Sequence, residues 1–147
     1  MYKIWTDGSF KPSINSGGYS VIITKDDIIL KKICQGFKNT TNNRMELMGV
    51  LEALEYFKTP TSLTIYSDSQ YVVSSINNGH LEKWISTNDL TKKNLDLWNR
   101  IYELLKFHST TFIWVKGHND NKFNEIADLY AQHASDCLNL SEDKQNE

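Results

Sequence analysis

Four acidic residues of this 147-residue chain stand out by where their neighbours put them. Asp7 interrupts the apolar run "YKIWTDGSF" just before Gly8. Glu46 follows "TTNNR" at the head of an apolar stripe. Asp68 closes "SLTIYSD" where a helix should begin. Asp128 lies in "FNEIADLYAQHASDCL" at the margin of another stripe. A carboxylate inside the first strand of a sheet is costly unless it is paired or bound to metal. Four acids converging at one end of a sheet would raise one another's pKa and destabilise the fold. A divalent cation removes that conflict. Hard oxygen ligands with open positions suit Mg2+ or Mn2+, which keep waters and accept phosphate oxygens. Two such ions about 3.5–4 Å apart would activate water and stabilise the leaving oxygen of an in-line phosphoryl displacement. Each acid also has a plainer reading. Asp68 suits a helix entrance, Asp128 a helix macrodipole, and Glu46 can reach solvent along its stem. Spacing alone does not choose between them.

The elements that would position these acids are readable in outline. Residues 2–10 pattern as a strand, and "YSVIITKDD" and "IILKKICQGF" as two more, joined near Asp26 and Asp27. Thr40 or Thr41 caps a helix whose stripe is Leu47, Val50, Leu51, Leu54 and Phe57. Glu46, Val50, Ala53 and Phe57 share a face, so Glu46 points largely toward the sheet. "SLTIYSD" is a buried strand, and a helix runs from a Ser69 cap to Gly79. Residues 80–93 are ambiguous. "NLDLWNRIYELLKF" is a helix with Leu95, Trp98, Ile101, Tyr102 and Leu105 inward. "TTFIWVKG" is a last strand. The last helix carries the stripe Ala127, Tyr130, Ala131, Ala134 and Leu138. The order implies an α/β protein: a five-stranded mixed sheet, made of a three-strand antiparallel meander plus two further strands, flanked by helices. Residues 1–138 form one domain, and 139–147 are expected to be a short, disordered polar tail. Ligands in such sheets sit beyond strand ends near a switch in strand order.

Composition narrows the function without fixing it. No apolar run is long enough for a membrane span, and no secretion signal is evident. Cys34 and Cys137 lack metal-site spacing and are expected to remain thiols in a cytoplasmic protein. The chain has 16 basic and 18 acidic residues, and its last seven residues, "SEDKQNE", hold three of the acids and one Lys. The body is therefore balanced. If four acids hold metal, the rest of the body is about +4, so charge neither demands nor excludes a nucleic-acid partner.

The blocks "YKIWTDGSF", "TTNNRMELMGVLEAL", "IYSDSQYV", "KNLDLW" and "WVKGHNDNKFNEIAD" resemble ribonuclease H of type 1, in order and spacing, over about residues 2–138. The resemblance implies the ribonuclease H-like fold and cleavage of the RNA strand of RNA–DNA hybrids, leaving 5′-phosphate and 3′-hydroxyl ends. It implies two Mg2+ ions per site with substrate, with Mn2+ able to substitute, and a monomer. The family's metal ligands match Asp7, Glu46, Asp68 and Asp128, and its mobile histidine matches His118 of "KGHND". By the same resemblance, Asn43, Gln70, Glu46 and the backbone of Gly8 and Ser9 contact ribose 2′-hydroxyls. Asn42 and Asn43 reach the minor groove, and Thr41 and Asn94 grip a DNA-strand phosphate. Trp84 matches a tryptophan of the family's basic protrusion. That protrusion is about four residues shorter here and keeps Lys83, Lys92 and Lys93. Ser13 stands where the family usually has Asn, and Asn39 where it often has Arg. His80, His108 and His133 match nothing catalytic and read as surface or packing residues. Two rivals remain open. One is an integrase-like enzyme with an Asp, Asp, Glu triad, for which Glu103 lies 35 positions after Asp68. The other is a hybrid-binding module without catalysis.

Overall fold

The computed structural model describes residues 1–89, 91–117, 121–137 and 139–144. The meander forms as its sequence demands. Strand β1 (Tyr2–Lys11) is followed by a 3-10 turn at Pro12–Ile14, then β2 (Ser16–Lys25) and β3 (Ile28–Lys38). Asp26 and Asp27 both take left-handed φ values, 53° and 62°. That pair makes the tight hairpin turn whose twist matches its flanking strands, and acidic side chains tolerate it. Helix α1 (Asn42–Tyr56) follows, then β4 (Ser62–Ser67), α2 (Gln70–Asn77), α3 (His80–Ser86), α4 (Leu95–Phe107), β5 (Ser109–Trp114), α5 (Lys122–Ser135) and a short β6 (Ser141–Glu142). The spatial order is β5-β4-β1-β2-β3-β6. Strands β1, β2 and β3 are antiparallel, β4 runs parallel to β1, β5 to β4 and β6 to β3.

Strand β2 is buried along nearly its whole length, because both faces of the sheet are covered. Alternation sends Ile4, Val21 and Ile23 to the side of α1 and α4, where they join Leu47, Val50, Leu54 and Trp98. It sends Trp5 and Ile22 to the other side, against Ala127 of α5. Helix α5 comes unusually close to the sheet. A Cβ on Gly18 would lie 2.6 Å from the Ala131 carbonyl oxygen and 2.6 Å from the Ala134 Cβ. Glycine at this position therefore sets how deep α5 sits. None of the described helices is long and apolar enough to cross a membrane.

The structure departs from the sequence reading at several points. The sheet has six strands, not five. The sixth comes from the tail expected to be disordered: Ser141 and Glu142 pair with Phe37 and Lys38, and Asp143 is buried. Two residues without an apolar alternation carry no strand signal. The ambiguous stretch after Gly79 begins with α3. In α4, Leu97 is buried beside Trp98 and Ile101, while Leu95 is only half-buried. In α5 the buried set is Asn124, Ala127, Ala131, Ala134 and Ser135; Leu138 lies outside the described residues. His108 is a packing residue of a specific kind. Its Nδ1 accepts from the Thr61 backbone N–H at 3.1 Å, and its Nε2 lies 2.9 Å from the Leu54 carbonyl oxygen. Both cysteines are free thiols at the surface.

Gly18→Ala should lower the thermal midpoint by roughly 3–10 °C, since overpacking costs about 1–3 kcal/mol and must lift α5. Scanning calorimetry checks this, and an unchanged midpoint would show that α5 is not held by that contact.

Candidate active site

The sheet's registers bring the acids together. Tyr2 to Trp5 of β1 pair in parallel with Leu63 to Tyr66 of β4. Carried two residues further, the same register sets Asp7 level with Asp68, just past the end of β4. This is where the chain, having built β2 and β3 on one flank of β1, crosses to the other flank, so a crevice opens at that switch. Helix α1 supplies Glu46. It can lie against β1 because residue 8 is glycine: a Cβ there would sit 2.6 Å from the Glu46 backbone nitrogen. The Gly8 N–H donates to Glu46 Oε1 at 2.8 Å and to Asp7 Oδ1 at 2.9 Å. One carboxylate oxygen from each of Asp7, Glu46 and Asp68 lies within 4.8 Å of the other two. Asp128 approaches from α5 on the far side of the sheet, near enough to help raise the pKa of Asp7, but it is not one of the three grouped carboxylates; Gln132 Nε2 donates to its Oδ2 at 2.9 Å.

This crowding is electrostatically expensive. Burial, then the charges of Glu46 and Asp68, push Asp7 up to about 11. Burial and Asp68 push Glu46 up to about 8, against the opposing hydrogen bonds from Asp7 and from the Gly8 N–H. Among the described residues, Asp7 Oδ2 and Glu46 Oε2 are buried with no hydrogen-bond donor. Two orphaned carboxylate oxygens facing a third carboxylate are a poor protein environment and a good hard-cation environment. The residues present therefore fit a divalent metal.

The remaining predicted contacts fall into separate groups. Thr41 caps α1, its Oγ1 accepting from the Arg44 N–H at 3.2 Å. Asn94 takes a left-handed φ of 66° at the entrance of α4. These two are linked through one residue, Arg44, whose backbone N–H donates to Thr41 Oγ1 and whose Nη1 donates to Asn94 Oδ1 at 3.2 Å. Asn42 and Asn43 are exposed in the first turn of α1, and Gln70 is exposed at the start of α2 beside Asp68. Ser9 is half-buried on β1, and Ser13 is exposed in the 3-10 turn. Trp84 is not simply a surface reader. It meets Trp98 edge-on with centroids 6.0 Å apart, while Lys92 Nζ lies 5.4 Å from its ring. Trp84 and Lys92, with His80, Lys83, Thr87 and Asp89, line a groove of about 310 Å3. His118 lies outside the described residues; the described chain reaches Gly117, next to Asp68.

Sequence reasoning missed two residues that organise this region. Arg44 is 2% exposed at its side chain, although it sits in an otherwise polar helix entrance. Trp114, on the edge strand β5, donates its indole N–H to the Asp68 carbonyl at 3.1 Å and so steadies the backbone of that acid. No periodicity marks either one. The rival triad fails on geometry. The Glu103 side chain is 69% exposed and paired with Lys106 on the outer face of α4, away from the acids.

A profile of the RNase H family matches residues 1–136. A ribonuclease H of Chlorobium phaeobacteroides (strain BS1) is 42% identical over 137 residues, covering 89% of this chain and 92% of its own. In structure, the chain is similar to LC9-RNase H1, a type 1 RNase H with the type 2 active-site motif, with a TM-score of 0.80 at 24% identity, covering 91% of this chain and 71% of that one. It also shares its fold with LC11-RNase H1, solved in complex with RNA/DNA hybrid, with a TM-score of 0.73 at 18% identity, covering 92% and 97%. With the acids converging where the sheet changes direction and the family profile spanning nearly every residue, the chain belongs to the RNase H family.

Proposed function

We propose that this protein is an endonuclease that hydrolyses the RNA strand of RNA–DNA hybrids, leaving 5′-phosphate and 3′-hydroxyl ends. The observation that carries the reading is the convergence of Asp7, Glu46 and Asp68 within reach of a single ion, with two of their oxygens buried and unpartnered. Family membership and the hybrid bound by LC11-RNase H1 support the substrate. Asp7, Glu46, Asp68 and Asp128 hold the metal, Mg2+ with Mn2+ as a substitute. When bound, the ions supply an activated water and neutralise charge on the leaving oxygen.

The chain's own groups do the rest. The Gly8 N–H fixes the rotamers of Asp7 and Glu46, so the ligands are set before substrate arrives. Gln70, Asn43 and the backbone around Ser9, each within three residues of an acid in the sequence, read the 2′-hydroxyl, the group that separates RNA from DNA. Asn42 and Asn43 reach the minor groove through amide hydrogen bonds that carry no base preference. Thr41 and Asn94 grip a phosphate of the DNA strand, and the Trp84 groove with its lysines follows the same backbone. His118 assists proton transfer or product release. Every ligand comes from one chain, so a monomer suffices.

A labelled hybrid should be cut in Mg2+ or Mn2+, while duplex DNA and single-stranded RNA are not. EDTA should abolish cleavage, and Asp7→Asn should cost about 100-fold or more. Binding without any cut would instead indicate a non-catalytic module. The raised carboxyls make a second prediction. Their folded pKa values exceed the unfolded values of about 4, so the stability they contribute is complete below about pH 4. It is lost as pH rises through about 8 for Glu46 and higher for Asp7. In EDTA the thermal midpoint should therefore fall between pH 6 and pH 9. Mg2+ at about 100 times its dissociation constant should restore roughly 5–10 °C at the upper end. Asp7→Asn should flatten the slope.

A further inference from the structure

The most fully bonded side chain of the described structure lies outside the carboxylate cluster. The guanidinium of Arg44 has five N–H donors, and it makes five hydrogen bonds. Two go to Asp143: Nε to Oδ2 at 2.7 Å and Nη2 to Oδ1 at 3.2 Å. Two go to Asp96 in the first turn of α4: Nη1 to Oδ1 at 3.0 Å and Nη2 to Oδ2 at 2.7 Å. The fifth goes to Asn94 Oδ1. Asp143 is as buried as its partner, at 1% side-chain exposure, and also accepts from Thr40 Oγ1 at 2.7 Å. The next residues of the tail extend the connection. Asn39 Nδ2 donates to Glu142 Oε1 at 2.8 Å, and Asn15 Nδ2 donates to Asn39 Oδ1 at 2.9 Å.

We infer that Asp143 is a positioning residue for substrate: through Arg44 it locks the entrances of α1 and α4 together and so presents Thr41 and Asn94 as one phosphate-binding pair. The inference rests on the proposed phosphate role of those two residues. Three features carry it. Arg44 is the common neighbour of both, through its backbone N–H to Thr41 and its side chain to Asn94. The Asn94 oxygen is held by Arg44, and its Nδ2 donates to the Tyr71 hydroxyl at 3.3 Å with a second N–H to spare. The amide edge that an anionic oxygen needs is therefore the edge left available. Finally, Asp143 adds negative charge near a phosphate site, which electrostatics alone would disfavour. Its contribution is geometric.

Steady-state kinetics on a hybrid substrate test this, using Asp143→Ala, Asp143→Asn, Thr41→Ala, Asn94→Ala and the double variant Asp143→Ala/Asn94→Ala, each assayed well below its own thermal midpoint. Asp143→Ala should raise KM about 10-fold with kcat within about twofold. Asp143→Asn, which keeps one acceptor for Arg44, should fall between it and the wild type. In the double variant the Asp143 change should add less than about twofold to the KM of Asn94→Ala, because the two act as a unit. A lowered KM in Asp143→Asn would mean that the charge of Asp143 outweighs its geometry, and would overturn the inference. So would a lowered kcat with unchanged KM, the mark of a purely structural role. If Thr41→Ala and Asn94→Ala leave KM unchanged, the underlying phosphate reading fails. If they raise it and Asp143→Ala does not, only the role of Asp143 fails.

Discussion

Mutual repulsion among carboxylates is the constraint around which this protein is organised. Three acidic oxygens lie within 4.8 Å of one another, two of the residues are almost fully buried, and a fourth acid closes in from the opposite helix. Such an arrangement persists only because each acid is anchored by an element with much else to lose. Asp7 stands on the central strand, paired on both sides. Glu46 is in a helix whose next residues, Leu47, Val50 and Leu54, are fully buried. Asp128 rides on a helix set against the sheet at Gly18. The hydrophobic core supplies the stability that the site consumes, and a bound cation would return part of it.

A second polar centre is built on the opposite logic. Around Arg44 the charges are of unlike sign, every donor is used, and the hydrogen bonds are short. Burial alone would lower the pKa of Arg44, but its bonds to Asp96 and Asp143 outweigh that and raise it, while Arg44 holds Asp96 below its usual range. The two centres lie on the same helix within two residues of each other. Helix α1 thus links the unsatisfied acids to a saturated network that fixes the loop and tail around them.

Much of this was legible in the sequence, for identifiable reasons. Strands and helices with strong alternation or a clean apolar stripe formed where expected, and the caps at Thr41 and Ser69 are observed. The acids were recognisable because burial of Asp7 and Glu46 is improbable without a ligand. What stayed hidden depended on partners distant in sequence. Strand β6 has no pattern of its own and exists through Asn39, Thr40 and Arg44. Trp84 was legible as an aromatic in a basic stretch, but its contact with Trp98 depends on how α3 meets α4. Arg44 looks like a solvent residue until Asp96 and Asp143 are placed beside it.

The separation of 99 residues between Arg44 and Asp143 has a consequence for biosynthesis. Ribosomes make chains from the amino end, so Arg44 emerges long before its last partner exists. Until residue 143 clears the exit tunnel, the nascent domain holds a guanidinium whose burial would strand two N–H groups, and the head of α1 stays wet. Closure of the fold at the head of α1 is thereby tied to the arrival of residue 143.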